Sequence, residues 1–154
     1  MRARTTAGRS PGRPAPRAAS EIVGTEDRSS AIRDAHYPRK APIDAYGNGG
    51  FRFADMSHRG SVICLPSGIY GWEGAAETPF AGGRLLRVFD EAEGVRFMLF
   101  GTGRDIRRVP PALLERFRRA GISCDPMSTG AAVRTYNIML AEGRPVAAAL
   151  VAVD

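Results

Sequence analysis

The chain has 154 residues, of which 44% are hydrophobic, and its formal net charge is +6. This length accommodates one domain with a sizeable core, and the longest apolar run, residues 146–153, is far shorter than the ~20 residues of a membrane-spanning helix. The basic charge does not mark a nucleic-acid-binding domain, because the first 19 residues hold five of the 22 basic residues and no acidic one, which leaves the remainder nearly neutral.

Residues 1–30 are rich in Arg, Pro and Ala and contain little that can enter a core, which predicts a disordered basic extension. A mitochondrial presequence is one interpretation, although Pro11, Pro14 and Pro16 would break the amphipathic helix of such a signal. A nucleic-acid-binding arm is another, although aromatic residues for base stacking are missing. We favour a dispensable extension followed by one domain over residues 31–154.

Short apolar segments separated by tight turns predict an antiparallel N-terminal half. The predicted strands are residues 51–53, 62–65, 69–72 and 85–89. Residues 41–50 are predicted as a loop and residues 58–60 as a turn, and residues 85–89 are expected to pair with the strand that follows them.

The C-terminal half predicts a βαβαβ unit. A buried strand over residues 95–100 ends at Gly-Thr-Gly, and Pro110 and Pro111 can begin a helix that ends at Gly121. A second strand starts at residue 122, a helix capped by Ser128 or Thr129 runs to about residue 141, and residues 145–151 form the last strand. The predicted fold class is α/β, a single compact domain with a mixed β-sheet, an antiparallel N-terminal half and this C-terminal unit.

Catalytic and metal-binding patterns are weak. Cys64 and Cys124 are 60 positions apart, so we expect free buried thiols in a reducing compartment rather than a disulfide framework. Nothing in the spacing supports Cys124-Asp125 with a remote histidine as a thiol nucleophile and its base, and no His, Cys and carboxylate cluster has metal-ligand spacing. We therefore predict no catalytic residue, no metal site and no cofactor.

One group of residues is a candidate site for an anionic ligand. The glycine-containing turn after the buried strand can present consecutive backbone N–H groups, but it lacks the third glycine of a dinucleotide-binding fingerprint and the Gly-Lys-Ser/Thr of a P-loop. A purely structural turn is the alternative. On the second helix an Arg and an Asn are i, i+3 neighbours, which suits either carboxylate or phosphate binding or attachment of the helix to a nearby loop. The candidate residues are Gly101, Thr102, Gly103, Arg104, Thr129, Arg134 and Asn137.

Several motifs together carry a family resemblance. They are the stretches IDAYGNGGFRF, SVICLPSGIYGW and MSTGAAVRTYNIMLAEGRPVAAAL, with GTG before the last of them. In this order they resemble the family of mitochondrial respiratory complex I (NADH:ubiquinone oxidoreductase) assembly factor three and its bacterial and archaeal relatives, long known as a domain of unknown function. The resemblance covers residues 31–154, and it implies a single compact α/β domain without an established catalytic activity.

The resemblance also implies a function, because the mitochondrial member binds partners during assembly of the membrane-arm junction of complex I. We therefore expect a non-catalytic binding or assembly-factor domain whose partners are respiratory-complex subunits or another assembly factor. We expect no specific nucleic-acid binding and no transmembrane segment, while peripheral contact with a membrane is compatible with this interpretation. The alternative is a small anionic-ligand-binding domain or cryptic enzyme that uses residues 101–103 with Arg134 and Asn137. The expected location is the bacterial cytoplasm, or the mitochondrion if residues 1–30 are a presequence.

Overall fold

The structure, a computed structural model, describes residues 35–154. The predicted extension and the first residues of the predicted domain therefore lie outside the described residues. Three short strands form an antiparallel sheet in the order β1-β2-β3: β1 (Ala45–Gly47), β2 (Gly50–Phe53) and β3 (Met56–Arg59). Phe51 and Phe53 of β2 are buried while Arg52 between them is exposed, because alternate side chains of a strand point to opposite faces.

A five-stranded mixed sheet forms the centre of the fold, in the order β5-β4-β8-β6-β7. Its strands are β4 (Ser61–Leu65), β5 (Gly68–Trp72), β6 (Phe97–Gly101), β7 (Ser123–Met127) and β8 (Val146–Leu150). β6 pairs in parallel with both β7 and β8, whereas β4 pairs antiparallel with β5 and β8. The predicted α/β fold with a mixed sheet, an antiparallel N-terminal half and a C-terminal βαβαβ unit is confirmed.

Two α-helices cover opposite faces of this sheet: α1 (Pro111–Arg119) and α2 (Thr129–Ala141). The chain passes from β6 outward to β7 and then back across β6 to β8, so two right-handed crossovers must lie on different faces. Phe117 of α1 and Met98 belong to one buried cluster, whereas Tyr136 of α2 and Leu99, the next residue of the same strand, belong to the other. Ser128 caps α2, since its Oγ accepts the N–H of Ala131 at 3.3 Å.

The prediction of a strand over residues 85–89 is wrong. This part of the chain forms the 3-10 segment Gly83–Gly94, interrupted by a non-helical backbone at Glu91. Leu85 and Val88 are its buried residues, and this spacing of three places both on one face of a 3-10 turn. The carboxylate of Glu91 explains the interruption, because Oε1 accepts the Ser67 N–H at 2.8 Å and Oε2 accepts the Ser67 hydroxyl at 2.6 Å, which ties the segment to the β4–β5 turn.

Two turns also lie in different places from those predicted. His58 and Arg59 belong to β3, and the chain turns at Gly60, whose φ is +98°. The polar residues of β3 concealed this strand because only one face of the small sheet is buried. Likewise, part of the predicted loop over residues 41–50 is strand β1, which pairs with β2.

Candidate functional site

The carboxyl ends of β6, β7 and β8 lie at one edge of the sheet because these strands run parallel, and such edges are where open α/β sheets bind ligands. The hydroxyl of Thr129 is the centre of this edge. Its Oγ1 donates to the carbonyl oxygen of Val151 at 2.7 Å and accepts the N–H of Gly103 at 3.0 Å. Thr129 is fully buried, so this hydroxyl joins the ends of β6 and β8 to the start of α2.

A second buried hydroxyl, that of Thr102, organises the turn after β6. The Thr102 N–H donates to the carbonyl of Met127 at 2.9 Å. Its Oγ1 donates to the carbonyl of Asp105 at 2.7 Å and accepts the N–H of Arg107 at 3.0 Å. The N–H groups of Thr102 and Gly103 are therefore both engaged within the protein, and an anion would have to compete with these bonds to be held by the backbone.

The glycine at the end of β6 is required by close packing rather than by a ligand. A Cβ atom on Gly101 would lie 2.9 Å from the Cα of Thr129 and 3.1 Å from the Cβ of Ala132, both in α2. Such distances are too short for carbon atoms in contact. Gly101 therefore allows α2 to approach the sheet, which is a structural use of the Gly-Thr-Gly sequence.

A shallow cleft of about 290 Å³ nevertheless opens beside this turn. Its lining includes Thr102, Gly103, Arg104, Asp105, Arg107 and Asp154. The two arginines offer guanidinium groups to a small anion, whereas the two carboxylates oppose one. The chemistry available here is reversible binding of a phosphate- or carboxylate-sized group.

The structure does not bring the candidate residues of α2 into this cleft. The side-chain amide of Asn137 pairs with the backbone of Ile43, with Oδ1 accepting its N–H and Nδ2 donating to its carbonyl, both at 2.9 Å. Asn137 therefore attaches α2 to the segment before β1. The side chain of Arg134 is exposed on α2, and neither residue lines the cleft beside Gly103.

The two cysteines are free thiols whose ionisation is suppressed. Burial raises the pKa of Cys64 to about 12, and burial likewise raises the pKa of Cys124 to about 12. Because the thiolate is the nucleophilic form, both side chains are poorly reactive near neutral pH. In residues 35–154, no group of three or more His, Cys, Asp and Glu side chains is arranged to hold a metal ion.

A basic cleft on the three-stranded sheet was missed at the level of sequence. Arg52 of β2 and Arg59 of β3 both point away from the core and line a shallow depression of about 600 Å³ with Asn48 and Ser57. The position of Arg52 between two phenylalanines indicates an exposed arginine on this sheet. The pairing of β3 with β2 is needed to place Arg59 on the same face. Behind this sheet the rings of His36 and His58 are in contact, with centroids 4.4 Å apart and planes tilted by 53°.

Comparisons with known proteins agree with this fold. A family model described as "Protein of unknown function (DUF498/DUF598)" matches residues 43–151. An uncharacterised protein of Rhodobacter capsulatus is 38% identical over 120 residues, a match that covers 78% of this chain and 91% of that protein. The mouse protein named NADH dehydrogenase [ubiquinone] 1 alpha subcomplex assembly factor 3 is 24% identical over 121 residues, which cover 79% of this chain and 65% of the mouse protein.

Solved structures of similar proteins share the fold of this chain. A crystal structure from Bartonella henselae, described as that of an outer membrane protein, has a TM-score of 0.72 and 54% identity and covers 77% of this chain and all of that one. A solution structure of a Rhodopseudomonas palustris protein has a TM-score of 0.66 and 48% identity, with 76% and 87% of the two chains covered. Within residues 35–154, no helix has the length and apolar character needed to cross a membrane.

Proposed function

Since the chain belongs to the family described as "Protein of unknown function (DUF498/DUF598)", we propose that it is a non-catalytic binding protein that assists assembly of a respiratory membrane complex of the complex I type. The membership confirms the resemblance predicted from the sequence motifs. The observation that carries the proposal is the similarity to vertebrate proteins named NADH dehydrogenase [ubiquinone] 1 alpha subcomplex assembly factor 3, which extends over 79% of this chain in the mouse protein.

The local chemistry of the Gly-Thr-Gly edge supports a binding role. The hydroxyls of Thr102 and Thr129 are used to hold strand ends and a helix together, and the two thiols are held protonated by burial. These groups therefore maintain the packing of the domain, and the surfaces that we propose for binding are its exposed loops and the exposed face of the three-stranded sheet. The partners that we propose are protein subunits of the complex or a second assembly factor.

Deletion of the gene from its source organism tests this function. We expect less mature respiratory complex and more partially assembled intermediate on native gels, with lower NADH:quinone oxidoreductase activity of the membranes, because an assembly factor acts before the complex is complete. Wild-type protein supplied in trans should restore both measurements. Normal amounts of mature complex in the deletion strain would contradict the proposal.

The location that we propose is the cytoplasmic side of the bacterial membrane, where subunits of such a complex can be met before they assemble. The Bartonella relative is described as an outer membrane protein, which would instead place this chain at the outer membrane. Separation of cytoplasmic, inner-membrane and outer-membrane fractions, followed by immunodetection, distinguishes the two. Recovery in the outer-membrane fraction would contradict the proposed location.

Anionic-ligand binding is the alternative function, and the position of Arg104 and Arg107 at the cleft beside Gly103 favours it. A ligand that binds only the folded state raises its stability by RT ln(1 + [L]/Kd), so the stabilisation grows with ligand concentration. Thermal melts with and without 10 mM-scale phosphate or dicarboxylates test this, with Arg104→Ala as the variant and Arg134→Ala, outside the cleft, as the matched control. If phosphate or a dicarboxylate stabilises the wild type and Arg134→Ala but not Arg104→Ala, the ligand-binding alternative is supported over the assembly role.

A further inference from the structure

The loop over residues 104–108, which we call the Ile106 loop, displays an isoleucine to solvent. Ile106 is 65% exposed, more than any other large hydrophobic side chain among the described residues. The sequence of the loop is Arg-Asp-Ile-Arg-Arg, and all five residues are exposed. A single exposed aliphatic residue needs no explanation by itself, so its surroundings decide whether it has a use.

The display of Ile106 is built by the hydroxyl of Thr102. This hydroxyl donates to the carbonyl of Asp105 on one side of Ile106 and accepts the N–H of Arg107 on the other side. Val109, directly after the loop, is buried in the core. The backbone on both sides of Ile106 is therefore held, and its side chain is fixed at the outside of a compact loop instead of packing against the domain.

Unpaired positive charge surrounds this side chain. Arg104, Arg107 and Arg108 make no ion pair within residues 35–154, and Asp105 is the acidic residue within the loop. Arg118 and Arg119 on the neighbouring helix α1 differ, because both pair with Glu115. The loop thus combines a protruding aliphatic side chain with a net positive charge.

We propose that the Ile106 loop docks the domain on the surface of a membrane that contains anionic phospholipids. Ile106 inserts at the level of the headgroups, and the three arginines contact lipid phosphates. A fluid interface accepts a convex aliphatic side chain without a matching pocket, whereas a protein partner would need one, and this favours lipid over an acidic protein surface. The inference goes beyond the assembly role and does not depend on it, since a peripheral protein of any function can dock in this way.

The expected affinity is modest, because one aliphatic side chain and three charges are involved. Each arginine near an anionic surface contributes about fivefold to the partition coefficient at moderate salt. The insertion of Ile106 adds roughly three- to tenfold for partial removal of its side chain from water. Binding should therefore be detectable with vesicles rich in anionic lipid, weak with neutral vesicles, and reduced at high ionic strength.

Co-sedimentation of the full chain with vesicles tests the proposal. The vesicles contain phosphatidylglycerol and phosphatidylcholine in equal amounts, with pure phosphatidylcholine as the neutral reference, at 0.15 M salt on the scale of physiological ionic strength. Ile106→Ser should lower the partition coefficient roughly three- to tenfold, and Arg107→Gln with Arg108→Gln should lower it about 25-fold. The basic N-terminal residues are present in every variant, so ratios between variants report on the loop.

Two matched controls separate docking from general effects. Ile138→Ser removes an isoleucine from α2 that is 59% exposed, nearly as much as Ile106, and it should leave binding unchanged. Arg118→Gln with Arg119→Gln removes the same amount of charge from arginines paired with Glu115, and it should lower binding less than the loop variant does. Equal losses in the loop variants and their controls would overturn the proposal, as would the absence of any preference of the wild type for anionic vesicles.

Fluorescence provides a second measurement that does not rely on loss of binding. The single natural tryptophan, Trp72, is buried, so a second one placed by Ile106→Trp reports mainly on the loop. Its emission should shift to shorter wavelength when anionic vesicles are added, while Ile138→Trp should show no shift. A shift for both variants, or for neither, would overturn insertion at Ile106.

Discussion

The role of Thr129 can be tested by removing its hydroxyl while keeping its shape. In Thr129→Val, the buried N–H of Gly103 and the carbonyl of Val151 lose their partner. A buried polar group left without a hydrogen bond costs about 1–3 kcal/mol. Two such groups give an expected loss of roughly 2–6 kcal/mol in the free energy of unfolding, which corresponds to a fall in melting temperature of roughly 6–24 °C at about 3–4 °C per kcal/mol for a domain of this size.

Urea denaturation followed by circular dichroism measures this loss, together with a check that the denaturant slope is unchanged. Thr135→Val is the matched control, because Thr135 lies in the same helix, is half-buried, and shows no side-chain hydrogen bond within residues 35–154. It should change stability by no more than about 0.5 kcal/mol. Thr129→Ser keeps the hydroxyl and should lose only about 1 kcal/mol for the missing methyl group.

A loss in Thr129→Val no larger than that in Thr135→Val would refute the structural role of the hydroxyl. The N–H of Gly103 would then be available at little cost, and the Gly-Thr-Gly turn would regain its place as an anion-binding site. Binding of phosphate that appears only in Thr129→Val would also identify the hydroxyl as the group that closes the site.

Three further predictions concern the contacts that position the elements. Asn137→Ala should lower the free energy of unfolding by roughly 1–3 kcal/mol in urea titrations, because the backbone N–H and carbonyl of Ile43 both lose their hydrogen-bond partner. An unchanged free energy of unfolding would contradict the attachment. Glu91→Ala should release the 3-10 segment from Ser67 and increase hydrogen exchange of that segment before the rest of the domain unfolds, and uniform exchange would contradict it. The pKa of His58 is lowered, first by burial and then by the neighbouring imidazole of His36. The unfolded state therefore binds the proton more readily, and stability should fall as the pH drops below about 6.5. Thermal melts of His58→Gln at different pH values should show a smaller fall.

The sequence was informative where the signal is local. Pro111 at the start of α1, Ser128 as the cap of α2 and the glycine turns that end both helices act within a few residues of the chain. A strand buried on both faces, such as β6, likewise shows itself as an apolar run between glycine and charged residues. Elements with these signals were predicted with nearly their observed bounds.

Elements that depend on distant contacts could not be predicted in this way. The segment Gly83–Gly94 has apolar spacing that suits a strand or a 3-10 turn, and a bond from Glu91 to Ser67, 24 positions earlier, fixes its conformation. The partner of Asn137 is 94 positions away. The sequence left ligand binding and attachment to a nearby loop both open for Asn137, because helical spacing tells which residues share a face but not what that face meets.

Two hydroxyls, those of Thr129 and Thr102, connect the closed edge of the sheet to the exposed loop beyond it. The carboxyl edge of β6 and β8 is the usual position of a ligand in an open α/β sheet, but here Thr129 joins the strand ends and Thr102 holds the next turn. A ligand that took the N–H of Gly103 would have to displace Thr129, and one that took the Thr102 hydroxyl would free the backbone on both sides of Ile106. Occupation of this edge and a rigid display of the Ile106 loop therefore oppose each other, so a chain that uses the loop for docking gains from keeping the edge closed.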